Sequence, residues 1–535
     1  MCRADVEHVV NEPSGIGKAV SPEIARTPHG AAAVRQLAPL LHVRPLQLAA
    51  LTLLLTTIGG LALKKKYFVL DFDIWWHLKV GDWIIAHLAV PHTGILSRTA
   101  ADHPWVAYSW GYEILLSRAY AWGGLLGLGV FGTFLTVMVA LAIYWMLREL
   151  SGRFWSSWGL TAVVCAAFLF DGAPRPFFFS MAFFAVMLAW LLTADRLGQI
   201  RMLYWLPPMF LVWANLHIQF IYGLAVVGLF AGVVIGQWLL DRFGILSTLL
   251  LPRTLPPGGV LFVFVLCVAA TLVGPNFYHP YEAVFGYSKA KFTYSIIVEL
   301  QPLSFRYWNQ YLDLWLAAFG FFAVGWQKKL DAFKLLLLVV ASVVAFRTMR
   351  DAWFLCIVAA ACIADRPQEA SRAEAAETHP RESWLQLAGV GLVTAVLLAI
   401  LAPSVDFTPR TFDRAISAEY PVDAINFLRR YPVTGPLYNN LNWGGFLMWY
   451  FPNYPVAIDG RNDLYGDHLD EIFFNSQSGN PGYLTDPYLN EAGLVLLDSK
   501  LPLAKLLSID QRFQLVYRDP IATAYVRNER TPRLP

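Results

Sequence analysis

Asp71-Phe72-Asp73-Ile74-Trp75-Trp76-His77 follows the first long apolar run of the chain, at 46–63. That run is long enough to cross a bilayer, and runs of similar character recur as far as residue 403. Only 15% of the 535 residues are charged and 57% are hydrophobic. A soluble protein of this size would carry about 25% charge. The expectation is a multi-pass α-helical membrane protein, with two carboxylates and an imidazole at its surface, at the head of a helix. Charge is costly near hydrocarbon and tends to be kept there for a reason.

Apolar length predicts about eleven spans, near 46–63, 124–147, 155–171, 177–194, 202–217, 219–240, 258–274, 312–326, 333–346, 351–364 and 384–403. Lys and Arg concentrate in alternate connections: Arg148 and Arg153, Arg196 and Arg201, Arg242 and Arg253, then Lys328, Lys329 and Lys334, then Arg366, Arg372 and Arg381. Basic residues mark cytoplasmic loops. The N-terminus is therefore expected in the cytoplasm and the C-terminal region outside, in a cell (inner) membrane. Lys64-Lys65-Lys66 runs against that pattern. Residues 1–43, rich in Ala, Pro, Gly and charge without sustained period, are expected to form a disordered cytoplasmic tail. The spans occupy 44–403, with an interfacial first loop at 64–123. The five cysteines show no disulfide or zinc spacing, and four sit inside apolar runs. A net charge of +3 and the lack of a basic patch give no case for nucleic acid.

Residues 404–535 are different material, dense in turn signals such as Pro452-Asn453, Asp459-Gly460 and Gly479-Asn480-Pro481-Gly482. Strands are expected at Pro455–Asp459 and Gly493–Asp498, and a closing pair at Phe513–Tyr517 and Ile521–Val526 around Asp519-Pro520. Asp423–Tyr431 is expected to be a helix. Together they predict a small extracytoplasmic α/β domain.

Under this topology several polar residues share the outer side. Asp73 and His77 lie i, i+4 on one helix face, and Ile74–Leu88 has the mixture of an interfacial helix. Asp71 or Asp73 equally suits a helix cap, with the tryptophans as an interface belt. Arg175, between Pro174 and Pro176, is a rigidly held phosphate fork or a turn charge. Asn215 and His217 line a cavity or cap a re-entrant turn. Glu299 is a second carboxylate or a solvated loop acid. Arg347 and Arg350 oppose the inward bias; they serve an anionic head group or pair with Asp351.

This layout resembles the GT-C class of membrane glycosyltransferases, whose acidic motif lies in the first outward loop after span one. Asp71-Phe72-Asp73 occupies that place. The continuation through Trp76-His77-Leu78-Lys79-Val80-Gly81-Asp82-Trp83-Ile84, Pro91-His92-Thr93 and Trp110-Gly111-Tyr112-Glu113 looks like a bacterial multi-pass group within or beside that class, distantly similar to protein mannosyltransferases. Asn442-Trp443-Gly444-Gly445-Phe446 and Val456-Ala457-Ile458-Asp459-Gly460-Arg461 are similar to the Trp-Trp-Asp-Tyr-Gly region of oligosaccharyltransferase catalytic subunits. The chain lacks that motif's Trp-Trp-Asp core.

The resemblance implies transfer of a sugar from a polyprenyl-phosphate-type donor to an extracytoplasmic acceptor. Asp71 or Asp73 would be catalytic, accepting the acceptor's proton. His77, Arg175, Asn215, His217, Glu299, Arg347 and Arg350 would meet substrate. Trp443, Asp459 and Arg461 would shape an acceptor surface, unless they belong to a glycine-rich turn packed on the membrane domain. The acids offer oxygen ligands to Mg²⁺ or Mn²⁺, while some members of the class work without metal; the cofactor stays open. The competing expectations are a transporter or flippase of a lipid-linked saccharide, and a non-catalytic assembly subunit of the same fold.

Overall fold

The computed structural model describes residues 45–64, 69–168, 173–244, 249–287, 289–365, 384–401 and 408–528. The expected tail, Lys65 and Lys66, and the cations Arg366, Arg372 and Arg381 lie outside them.

Each stretch expected to span carries a helix: Pro45–Lys64, Trp110–Ser151, Phe154–Phe168, Phe177–Leu197, Leu206–Leu216, Phe220–Arg242, Pro257–Thr271, Trp308–Gly325, Ala332–Arg347, Ala352–Ala364 and Trp384–Leu401. Among the described residues, four stretches are long and apolar enough to cross a membrane: Pro45–Leu63, Trp110–Ser151, Phe177–Leu197 and Phe220–Arg242. Trp110–Ser151 is two helices joined at a kink, where Gly123 leaves helical geometry and Gly124 takes φ 58°. A side chain at Gly124 would be strained in that conformation. The kink separates a short arm, which carries Glu113, from the apolar length that follows.

Helix Phe177–Leu197 begins beside Arg175 and ends at Asp195 and Arg196. At 1.5 Å per residue this separates the two polar ends of the bundle by roughly 30 Å. At the far end Arg253 donates to Asp195 (2.7 Å) and to Asp331, while Lys334 pairs with Asp365 (2.6 Å). Several cations that marked this side in the sequence are therefore neutralised in a buried network.

The first-loop helix, Phe72–His87, departs from expectation. Two of its three tryptophans, Trp75 and Trp76, are buried rather than lying at a surface, while Trp83 is half-buried. Trp75 is fully buried, edge-on to Tyr420, Phe446 and Tyr450 at centroid distances of 5.9, 5.4 and 5.6 Å. Those rings come from the C-terminal region, which lies on the helix and takes its apolar face out of solvent. The sequence shows the amphipathic pattern but not what covers it.

The C-terminal sheet has four strands in the order β1-β2-β4-β3: β1 Leu437–Asn439, β2 Leu494–Asp498, β3 Phe513–Arg518 and β4 Ala522–Arg527. β1 and β2 run parallel, and β4 is antiparallel to both β2 and β3. Three of the expected strands and the helix, seen at Val422–Arg430, are present. Pro455–Asp459 is not a strand. It makes one bridge, Ser97 to Val456, and the Asn439 side chain accepts from the Ala457 N–H at 2.7 Å. A side chain therefore satisfies backbone that a ladder would otherwise have satisfied.

Candidate functional site

Arg175 gathers the acids. Its Nε and Nη2 donate to the two oxygens of Asp71 at 2.6 and 2.8 Å. Its Nη1 lies 3.4 Å from Asp73 Oδ2 and 3.9 Å from Glu299 Oε2. The arginine is placed by Pro174, whose carbonyl accepts from the buried Tyr112 hydroxyl, and by the start of helix Phe177–Leu197. Four residues from three distant stretches thus meet at one end of the bundle.

The two candidate catalytic acids differ. Asp71 is the N-cap of its helix, and Oδ1 accepts from the Asp73 N–H at 3.1 Å. With both oxygens also taken by Arg175 and its side chain only 6% exposed, Asp71 is a fastening. Asp73 keeps 32% of its side chain exposed. Its Oδ1 accepts from Trp76 Nε1 at 3.1 Å, leaving Oδ2 toward Arg175. Burial, opposed by Arg175 and reinforced by Asp71, raises the Asp73 pKa to about 6. A carboxylate poised there is a competent proton acceptor at neutral pH.

The C-terminal region closes one wall. A methyl group at Gly460 would run into Asp73 Oδ1, and one at Gly445 would press on the backbone of Phe72 and Trp76. Glycine is what allows this approach. Behind Asp73, Trp76 stacks on His77 with centroids 3.5 Å apart, and His77 Nδ1 lies 3.2 Å from Glu113 Oε1. His77 is only 8% exposed. Burial, with the charges of Arg175, His217 and Arg461, pushes its imidazole well below the ordinary range, so it is neutral. Its ring lies under Trp76 and is nearly closed to solvent.

Other expected ligand residues make hydrogen bonds within the protein. Asn215 accepts from Trp110 Nε1 (2.9 Å) and donates to Leu211 and Val273 carbonyls. His217 caps helix Leu206–Leu216 and shares a 2.8 Å hydrogen bond with Ser180. Both hold the turn into helix Phe220–Arg242. Trp443, Asp459 and Arg461 are 2%, 0% and 1% exposed, so their side chains form no acceptor surface. Arg461 is forked onto Asp459 (2.8 Å from each of Nε and Nη2) and lies 4.8 Å over the Trp105 ring. Trp443 donates to the Glu419 carbonyl.

Arg347 and Arg350 are exposed. Their loop joins that of Glu299 through the Met349 N–H, which donates to the Gln301 carbonyl at 2.8 Å. Asp351 accepts from Gln219 (3.0 Å) and Thr348 (2.6 Å). Sequence reasoning missed Asp467, which accepts from the Phe292 and Thr293 N–H groups at 2.9 and 3.1 Å. It ties helix Lys291–Ile296, just before Glu299, to the C-terminal region. It also missed Glu113 as the partner of His77; an acid within the apolar context of Trp110–Ser151 was the available signal.

The donor set does not fit a resident Mg²⁺ or Mn²⁺. Asp71 spends both oxygens on Arg175, and Asp73 Oδ2 and Glu299 Oε2 face the same guanidinium. Among the described residues, no group of three His, Cys, Asp or Glu side chains is placed to hold a metal ion. No protein-family model matches the chain, and no curated protein matches it.

Proposed function

We propose that the protein is a membrane glycosyltransferase of GT-C type, moving a sugar from a polyprenyl-phosphate-type donor to an extracytoplasmic acceptor. The observation that supports this best is the contrast at Arg175: one carboxylate tied down, its neighbour two residues on left partly open and raised to about 6. A purely structural cluster has no use for that asymmetry, whereas proton acceptance does.

In this reading Asp73 takes the proton from the acceptor hydroxyl as its oxygen bonds to the anomeric carbon. The bond from that carbon to the donor phosphate oxygen breaks, and the electron pair leaves with the phosphate. Arg347 and Arg350 supply positive charge to the departing anion. Arg175 holds Asp71 and sets the proton affinity of Asp73; already surrounded by carboxylates, it is not the phosphate's fork. The eleven helices are the spans of this fold, with the acidic site and the C-terminal domain outside.

The test mixes purified protein with a lipid-linked sugar pool and an envelope acceptor fraction, and follows free polyprenyl phosphate by mass spectrometry. Asp73→Asn abolishes release, a loss of about a hundredfold or more. Equal release by wild type and a folded Asp73→Asn protein refutes the assignment.

A further inference from the structure

A cavity of about 480 Å³ lies where the C-terminal region meets Arg98 of the first loop, lined by Arg98, Arg429, Phe451, Asn453, Tyr454 and Pro455 among others. Two of its lining residues are arginines and none is acidic. Among the described residues Arg98 reaches one carboxylate, Glu491 at 3.3 Å, and that side chain is 60% exposed. Arg98 Nε and Nη2 are buried and donate to no group among the described residues. Arg429 spends one nitrogen on the Tyr450 carbonyl. The cavity wall therefore carries two guanidinium groups against one exposed carboxylate, and that surplus of positive charge favours an anion in it.

The remaining wall is suited to more than a bare anion. Tyr454 is fixed by its hydroxyl, which donates to the Val433 carbonyl at 2.6 Å and accepts from the Val433 N–H at 3.2 Å. It stacks on Phe451 at 4.5 Å. Aromatic and proline surface suits the C–H faces of a sugar ring, and the Asn453 amide offers both a donor and an acceptor to hydroxyls. The volume lies within the range of about 300–1,000 Å³ typical of small-ligand sites.

We propose that this cavity binds an anionic saccharide unit, carrying a carboxylate or a phosphate, and that it is a remote subsite for the acceptor. Pro455 lines the cavity and Gly460 abuts Asp73. Five residues of chain span at most about 17 Å, a few sugar units along an acceptor chain. The acceptor role rests on the transferase reading; the binding does not.

The experiment measures direct binding to the full chain in detergent micelles, without donor. The probes are glucuronic acid, glucose 6-phosphate, glucose and inorganic phosphate, each by isothermal titration or saturation-transfer NMR. The two anionic sugars bind, glucose does not, and Arg98→Gln or Arg429→Gln raises Kd by roughly tenfold or more. Asn453→Trp, at an exposed position on the wall, blocks binding without touching either arginine. Asp73→Asn leaves binding intact, so a failed transfer reaction and a failed subsite are told apart. Binding of glucose as tight as glucuronic acid overturns the proposal, as does inorganic phosphate matching glucose 6-phosphate. Indifference to all three cavity variants, or no binding of any probe, overturns it as well.

Discussion

Asp73 should titrate near pH 6 rather than near the usual 3.8 of an aspartate, and this can be measured without any substrate. At pH 5 a group of pKa about 6 is only about a tenth ionised, whereas an unshifted one is more than nine-tenths ionised. The infrared difference between wild type and Asp73→Asn isolates the carboxyl C=O band, whose pH midpoint reads the shift. Arg175 opposes the rise, so Arg175→Gln moves the midpoint further up, by about one unit or more, each unit being about 1.36 kcal/mol. For a base the consequence is a rate that falls about tenfold per pH unit below 6.

The stability sign is the reverse. A carboxyl whose pKa rises on folding contributes stability fully present below 3.8 and lost as pH rises through about 6. At pH 7 Asp73→Asn therefore does not lower the melting temperature, and it flattens the stability profile between those values. A midpoint near 3.8, a downward move in Arg175→Gln, or clear destabilisation by Asp73→Asn at pH 7 would refute the electrostatic account.

Two further outcomes follow from the walls of the site. Gly460→Ala puts a methyl group against Asp73 Oδ1; it costs about 1–3 kcal/mol of stability by overpacking and displaces the infrared midpoint of Asp73, and an unmoved midpoint shows that the C-terminal wall does not shape this acid. Asp467→Asn weakens the cap on helix Lys291–Ile296; at about 1 kcal/mol for a lost cap, hydrogen exchange in that segment speeds up by roughly fivefold, and unchanged exchange means the cap is not what anchors it.

Much of the architecture was legible because apolar length and turn chemistry are local. The helix positions, the β3–β4 pair around Asp519-Pro520 and the helix at Val422–Arg430 all follow from patterns within a dozen residues. The acidic motif stood out for the same reason. Pro455–Asp459 had the composition of a strand, but Asn439, about twenty residues away, answers its backbone.

Read alone, the chain shows a helical, apolar protein with an acidic motif after its first long helix and a small mixed domain toward residue 535. The sequence could not separate Asp71 from Asp73, since a helix cap, an ion-pair partner and a proton acceptor are the same side chain. Their surroundings differ only in three dimensions, where Arg175 comes from 104 residues away onto both oxygens of Asp71 and Gly460 lies against Asp73. The tertiary structure likewise turned Trp75, Trp443, Asp459 and Arg461 from surface candidates into core. Burial and charge pairing are sums over neighbours distant in the chain, and periodicity along the chain carries no record of them.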